Sequence, residues 1–176
     1  MKDTDTVQWL SDPQIRSEHF RELRDGIKAR NLRSKAERAP TTARGVHHVA
    51  LISSDVERTV HFFQELLGFP LTEMFENRDY PGSTHFFFDI GGGNALAYFD
   101  LPGLDLTPYR EVLGGHHHLA ISMLPAQWSA AVERLQEAGI AHSQIGQSSV
   151  YFNGPDGERL EIISDPLGEM NGMAVV

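Results

Sequence analysis

Nine histidines and no cysteine restrict any metal site in this 176-residue chain to nitrogen and oxygen ligands. Five of those histidines fall in two runs: His47-His48, followed by Val49-Ala50-Leu51, and His116-His117-His118, followed by Leu119-Ala120-Ile121. The two runs register at an offset of 70 residues, which matches His48 with His118. Equivalent positions in duplicated sheets converge near a pseudo-two-fold axis, so these imidazoles are a candidate metal-binding pair. A one-residue error in strand alternation would exchange them for His47 and His117. Glu161 stands between Leu160 and Ile162-Ile163. A carboxylate in so apolar a strand needs a partner, and a metal ion supplies one.

The elements that must position these groups read as a repeat. Residues 46–53 form a strand pattern rich in β-formers. Asp55 caps a helix to about residue 67, with Val56, Val60, Phe63, Leu66 and Leu67 at helical spacing and Gly68 as its stop. Strands follow at 69–75, 84–90 and 94–100, the last two joined by Gly91-Gly92-Gly93. Residues 101–114 read as a loop with two prolines. The order then recurs: strand 115–122, helix 125–138 ended by Gly139, and strands at 140–145, 148–153 and 158–164, with Gly154-Pro155-Asp156-Gly157 as the last turn. Leu67-Gly68-Phe69 matches Ala138-Gly139-Ile140, Phe88-Asp89 matches Phe152-Asn153, and Leu96-Ala97 matches Leu160-Glu161. The fold class is therefore α+β: two βαβββ modules, 46–100 and 115–165, packed about a pseudo-two-fold axis within a domain of residues 45–165. An irregular tail, 166–176, follows. Residues 1–44 form a separate arm, with Ser11-Asp12-Pro13 starting a helix. Phe20, Leu23 and Ile27 give that helix a thin apolar stripe, and 39–42 serve as linker.

Charge narrows the partners. The net charge is −9, which argues against nucleic acid. Residues 1–45 hold 10 basic and 7 acidic residues, and the remainder holds 5 basic and 17 acidic, so a basic arm precedes an acidic body. No apolar run approaches the ~20 residues of a membrane span. The N-terminus is polar and acidic, unlike a secretory signal, so a cytoplasmic location is the default.

The order HHVAL, Asp55, Leu67-Gly68-Phe69, HHHLAIS, and then Tyr151-Phe152-Asn153-Gly154-Pro155-Asp156-Gly157-Glu158-Arg159-Leu160-Glu161 resembles the vicinal oxygen chelate superfamily of glyoxalases, bleomycin-resistance proteins, fosfomycin-modifying enzymes and type I extradiol dioxygenases. The likeness covers roughly two thirds of the chain and leaves the arm outside it. It implies that the strands of the modules form a cupped mixed sheet, with a divalent metal ion held by His48 and His118 from the first strands of the modules and by Glu161 from the last strand of the second. The fourth family position falls on Ala97, which cannot bind a metal; glyoxalases and related epimerases usually carry Glu or Gln there. Two imidazoles and one carboxylate leave about three coordination positions open, which suits Fe(II) chemistry with substrate and dioxygen and also suits Mn; Zn, Ni and Co are alternatives. Bound imidazole must be neutral, so affinity should fall below about pH 6.

Three readings follow from the resemblance. The first is an extradiol-type dioxygenase opening a small catecholic ring. The second is a non-redox lyase, isomerase or epimerase, and the third a protein that sequesters a flat ligand. Tyr151 and His142, ten and nineteen residues before Glu161, are spaced like a tyrosine and a histidine near the iron of type I extradiol enzymes. The loop histidine that serves those enzymes as acid and base has no counterpart in 101–114, and His116 is the candidate substitute. His85, with Phe86-Phe87-Phe88, Tyr98 and Phe99, could line an apolar cup for a ring. The basic residues of the body are scattered, which disfavours glutathione-like or phosphonate substrates. The implied partners are a small aromatic or vicinal-oxygen substrate and a second copy of the chain, with no nucleic acid and no membrane.

Overall fold

A computed structural model of the chain describes residues 12–176. Ser11 and the acidic N-terminal stretch lie outside the described residues. The chain divides into two compact units, 1–44 and 45–176. In the first, helix α1 (Pro13–Asn31) begins where Asp12 Oδ1 accepts from the backbone N–H groups of Gln14 and Ile15, with proline at the first turn. Its Leu23 and Ile27 are exposed. None of its described residues belongs to a helix long and apolar enough to cross a membrane, and the same holds for the described residues of the second unit.

The second unit carries the duplication. Its first module is β1 (His48–Ser53), α2 (Val56–Val60), β2 (Leu71–Glu76), β3 (Thr84–Asp89) and β4 (Ala95–Asp100). The second is β5 (Leu119–Ser122), α3 (Pro125–Glu137), β6 (His142–Ile145), β7 (Ser149–Asn153) and β8 (Arg159–Ile163). Each module makes a four-stranded sheet with the same topology, β1-β4-β3-β2 and β5-β8-β7-β6. First and last strands pair in parallel and the others antiparallel. Gly68 and Gly139 end the two helical segments in left-handed conformations (φ 80° and 68°), which a residue with a Cβ adopts only under strain.

Three details depart from the sequence pattern. The first helix does not stay α-helical: from His61 to Leu67 it winds more widely, as a π-helix, and Phe62, Phe63 and Leu67 are all buried there. The fifth strand starts at Leu119, so His116, His117 and His118 precede it instead of lying within it. The tail is not wholly irregular, because β9 (Glu169–Met170) and β10 (Met173–Ala174) form a small hairpin about Asn171-Gly172.

One core joins the modules. Phe86, Phe88, Leu96 and Tyr98 from the first sheet pack with Phe62, Phe63 and Leu67 of the helical segment. The same cluster contains Ala131 and Leu135 of α3 and Ile121, Val150, Phe152, Leu160 and Ile162 of the second sheet. Each sheet thus turns one face to this core, and strand alternation sends the neighbouring side chains to the other face. Tyr98 accordingly points into the core against Phe63 and Phe86, and away from the side that carries His85 and Phe99.

Polar contacts fix the modules to each other. The fully buried Tyr98 hydroxyl donates to Glu158 Oε1 at 2.8 Å, and the Asp156 N–H donates to Glu158 Oε2 at 2.8 Å. Arg58 and Ser54 both bind Asp156, and Arg134 Nε donates to the Leu66 carbonyl at 2.6 Å. Glu158 folds back over Gly154, where an added Cβ would overlap its carboxyl group. Gly154→Ala should therefore destabilise the protein by about 1–3 kcal/mol in urea titrations, the usual cost of overpacking. Burial raises the Glu158 pKa above its ordinary value, outweighing the hydrogen bonds from Tyr98 and the backbone. The folded state then binds this proton more tightly than the unfolded chain, so the linked stability is full at low pH and declines as pH rises above about 4.5. Glu158→Gln should remove that decline from the pH–stability profile.

Candidate metal centre

The strand registers make the two halves of the site directly comparable. Ala50 lies opposite Ala97 across β1 and β4, and Ala120 lies opposite Glu161 across β5 and β8. Ala97 and Glu161 are therefore equivalent, as are His48 and His118. The paired histidines even share their local geometry. His47 and His48 meet through their Nδ1 atoms at 2.9 Å with rings edge-on, and His117 and His118 do the same at 2.7 Å.

In the second module this geometry delivers an imidazole to a carboxylate. His118 Nε2 is 2.9 Å from Glu161 Oε2. Glu161 is only 2% exposed, and its other oxygen accepts from Ser149 Oγ at 2.5 Å. A chain of hydrogen bonds sets the tautomers. Arg159 can only donate, so His117 Nε2, 3.1 Å away, accepts. The His117 proton then sits on Nδ1 and is donated to His118 Nδ1, which leaves the His118 proton on Nε2, facing Glu161. Arg159 also reaches Glu111 at 3.3 Å. Tyr151 lies opposite Glu161 in the β7–β8 ladder, and its ring meets that of His118 at 5.3 Å. Its hydroxyl pKa is raised, first by burial and then by Glu161, with Arg159 opposing. It is therefore a neutral hydrogen-bond donor beside the carboxylate.

The donor chemistry suits a divalent ion: a nearly buried carboxylate, an imidazole nitrogen in contact with it, and a neutral phenol at the rim. A metal would have to displace the proton now on His118 Nε2. The third expected ligand stands elsewhere. His48 is exposed and contacts His47, and it is near His85, whose pKa is lowered first by burial and then by His48. Among the described residues, no three His, Asp or Glu side chains gather closely enough to hold a metal ion. One chain thus brings together His118 and Glu161 but does not bring His48 to them.

The proposed catalytic groups separate too. Only Tyr151 adjoins the His118–Glu161 pair. His142 lies opposite Phe152, a core residue, so it occupies the sheet face turned away from Tyr151 and Glu161; its Nδ1 donates to the Ile140 carbonyl at 2.8 Å. Its spacing from Glu161 was informative about the strand but not about the face. His116 sits in the loop before β5. The Tyr109 hydroxyl donates to its carbonyl, and its ring packs 4.8 Å from that of Tyr109. It lines a cavity of about 1130 Å³ between the modules, together with Ala50, Ile52, Arg58, Tyr109 and Asp156.

On the outward face of the first sheet, His85 stacks on Phe99 at 3.8 Å and packs against Phe87 and Phe75. Of the six residues expected to line a cup, His85, Phe87 and Phe99 share this outward face, whereas Phe86, Phe88 and Tyr98 belong to the core. The sequence reading missed Ser149, His117 and Arg159 as supports of the site. The available signal was strand pairing: Arg159 and Glu161 are two apart in one strand, and Ser149 is two before Tyr151 in the next.

The fold and motifs have known relatives. Residues 45–162 match the family model for the glyoxalase/bleomycin resistance protein/dioxygenase superfamily. The protein named "Putative ring-cleaving dioxygenase MhqA", from Bacillus subtilis (strain 168), is 26% identical over 142 residues, which are 74% of this chain and 43% of that protein. The chain thus spans less than half of that relative's length. A metallothiol transferase FosB from Lysinibacillus sphaericus (strain C3-41) is 22% identical over 133 residues, 68% of this chain and 82% of the relative. Among solved structures, a glyoxylase/bleomycin resistance protein/dioxygenase domain from Frankia sp. EAN1pec superposes with a TM-score of 0.61 at 22% identity, covering 71% of this chain and all of that one. The fosfomycin resistance protein FosX of Listeria monocytogenes, complexed with Mn(II) and sulfate, superposes with a TM-score of 0.55 at 20% identity over 72% of this chain and 96% of that one. The duplicated βαβββ modules, their matched registers and this family-model match over two thirds of the residues agree: the chain belongs to the glyoxalase/bleomycin resistance protein/dioxygenase superfamily.

Proposed function

We propose that this protein is a divalent-metal enzyme of the ring-cleaving dioxygenase kind, acting on a small catecholic ring with Fe(II) bound by His48, His118 and Glu161. The observation that carries this reading is the His118–Glu161 contact: a carboxylate 2% exposed, met by an imidazole nitrogen at 2.9 Å on the outward face of its sheet. Likeness to MhqA supports the ring-cleaving assignment, and so does the aromatic wall of Phe75, Phe87 and Phe99. When bound, the metal supplies Lewis acidity to a chelating pair of substrate oxygens and a place for dioxygen. The residues of the chain do the rest. Tyr151 stays neutral and donates a hydrogen bond to an oxygen at the rim. Ser149 fixes one oxygen of Glu161. Arg159 and His117 set the orientation of the His118 ring.

The centre is completed by a second copy of the chain, which brings His48 to the partner's His118–Glu161 pair. Support comes from the separation of the half-sites within one chain and from exposed apolar residues on the faces that carry them. Ile52 is 47% exposed, Phe75 48% and Ile145 58%. Isologous pairing of two copies would make two such centres and cover both faces.

A second reading, non-redox lyase, isomerase or transferase chemistry on Mn, Zn, Ni or Co, is favoured by the likeness to FosB and by the Mn(II) in the FosX structure. The alanine at the fourth family position weighs against it, since a two-imidazole, one-carboxylate set leaves room for dioxygen.

Three measurements test these proposals. Protein loaded anaerobically with Fe(II) should consume oxygen and form a yellow product from some member of a catechol panel; full activity in zinc or manganese with no oxygen uptake would reject the dioxygenase. Added Co(II) or Mn(II) should raise the thermal midpoint of the wild type, by about 2.7 kcal/mol of linked stability at a hundredfold excess over Kd, and should leave His118→Ala and Glu161→Ala unmoved. Refolding a mixture of His48→Ala and Glu161→Ala chains should restore about one quarter of the wild-type metal sites, because half the dimers are mixed and each holds one intact centre. No recovery would show that the centre is not shared between copies.

A further inference from the structure

The aromatic face of the first module contains an atom that its own chain leaves unsatisfied. His85 Nε2 is buried and has no hydrogen-bond partner among the described residues. Buried polar atoms nearly always have one, so an exception calls for a reason. The ring is not loosely placed. It stacks on Phe99 with centroids 3.8 Å apart and planes 21° from parallel, lies 4.2 Å from Phe87, and receives Phe75 edge-on at 5.2 Å.

The duplication shows what this position faces. His85 lies opposite Phe99 in the β3–β4 ladder, and Ser149 lies opposite Ile163 in the β7–β8 ladder, so the two positions are equivalent. Ser149 Oγ reaches the carboxylate of Glu161 at 2.5 Å. A side chain at this position therefore extends toward the place where its module's ligand carboxylate lies. In the first module that place belongs to Ala97, whose methyl group cannot fill it. His85, at the equivalent position, packs its longer imidazole against Phe87 and Phe99 on the face that carries His48 and Ala97. Enclosed by Phe75, Phe87 and Phe99, the ring leaves Nε2 with an open hydrogen-bonding position among the described residues. Phe75 is on the edge strand and half-exposed, so the aromatic wall around Nε2 is bounded on one side by a residue outside the core.

We propose that His85 is a substrate-contacting residue, whose Nε2 forms a hydrogen bond with a hydroxyl of an aromatic ligand stacked against Phe75, Phe87 and Phe99. This inference rests on the aromatic-substrate reading above and adds the residue that recognises the hydroxyl. It differs from the family's metal-binding pattern, because His85 occupies the neighbourhood of the missing fourth ligand without replacing it as one.

The test uses full-length protein loaded with Fe(II) or Co(II), titrated without oxygen with 4-nitrocatechol, whose visible absorbance changes on binding. His85→Phe and His85→Leu should weaken binding at least about fivefold, the range of one lost hydrogen bond, with metal content unchanged. His85→Gln, which keeps a polar atom in place, should bind within about twofold of wild type. Wild-type affinity in both apolar variants would overturn the contact while leaving the aromatic reading intact. Loss of the metal from those variants would also overturn it, by making His85 a ligand. Failure of the metal-loaded wild type to bind 4-nitrocatechol at all would remove the aromatic reading and the contact together.

Discussion

Glu161 occupies a strand whose neighbours Leu160 and Ile162 pack into the core, yet it is almost as buried as they are. Taking a carboxylate out of water costs several kcal/mol unless charge or hydrogen bonds replace the lost hydration. Here the replacement comes from three directions. Ser149 donates from the adjacent strand, His118 donates from the chain entering the first strand, and Tyr151 lies directly across the ladder. The His118 donation depends in turn on His117, which is held by Arg159 from the same strand as Glu161. Each member has a fixed hydrogen-bonding role, so the carboxylate and the imidazole are oriented before any ligand arrives.

That arrangement requires parallel pairing of the first and last strands of a module. Parallel neighbours need a crossover, and the helix of each module provides it. The crossovers then become the material of the shared core, with Phe62 of one module 6.1 Å from Phe152 of the other. Because the helices and inner sheet faces are consumed in joining the modules, the outer faces are left for chemistry. The polar clamps at Tyr98–Glu158 and Arg58–Asp156 lie at the same junction, so the relative setting of the two outer faces depends on them.

Much of this was legible in the sequence because it is written in short-range pattern. The period-two alternation of Val49, Leu51, Leu160 and Ile162, the glycines at 68 and 139, and the repeated His-His pairs give the strands, the helix ends and the duplication. The equivalence of Ala97 with Glu161, inferred from an offset, matches the observed register residue for residue. What escaped was set by tertiary contacts. The wide winding of 61–67 accompanies two adjacent buried phenylalanines, Phe62 and Phe63, and no helical periodicity announces that. His142 fell on the other face because its strand's phase is fixed by pairing with Phe152, not by distance along the chain. The side of the sheet on which Tyr98 lies follows the same rule. The separation of His48 from His118 and Glu161 depends on how the modules pack, which symmetry alone leaves open.

The two modules share a backbone plan and have diverged in what they place on it. At one position the second module carries Glu161 and the first Ala97; at another the second carries Ser149 and the first His85. These exchanges are coupled through space. A serine beside a carboxylate supplies a small donor that fixes an anion. An imidazole beside an alanine has room for its ring but no anion to bind, and it is enclosed by phenylalanines instead. The second module thus presents a buried carboxylate with its hydrogen-bond donors, and the first presents apolar surface and one imidazole nitrogen without a partner among the described residues. Neither face duplicates the other, so divergence at these paired positions has given one repeated unit two chemically different outer faces.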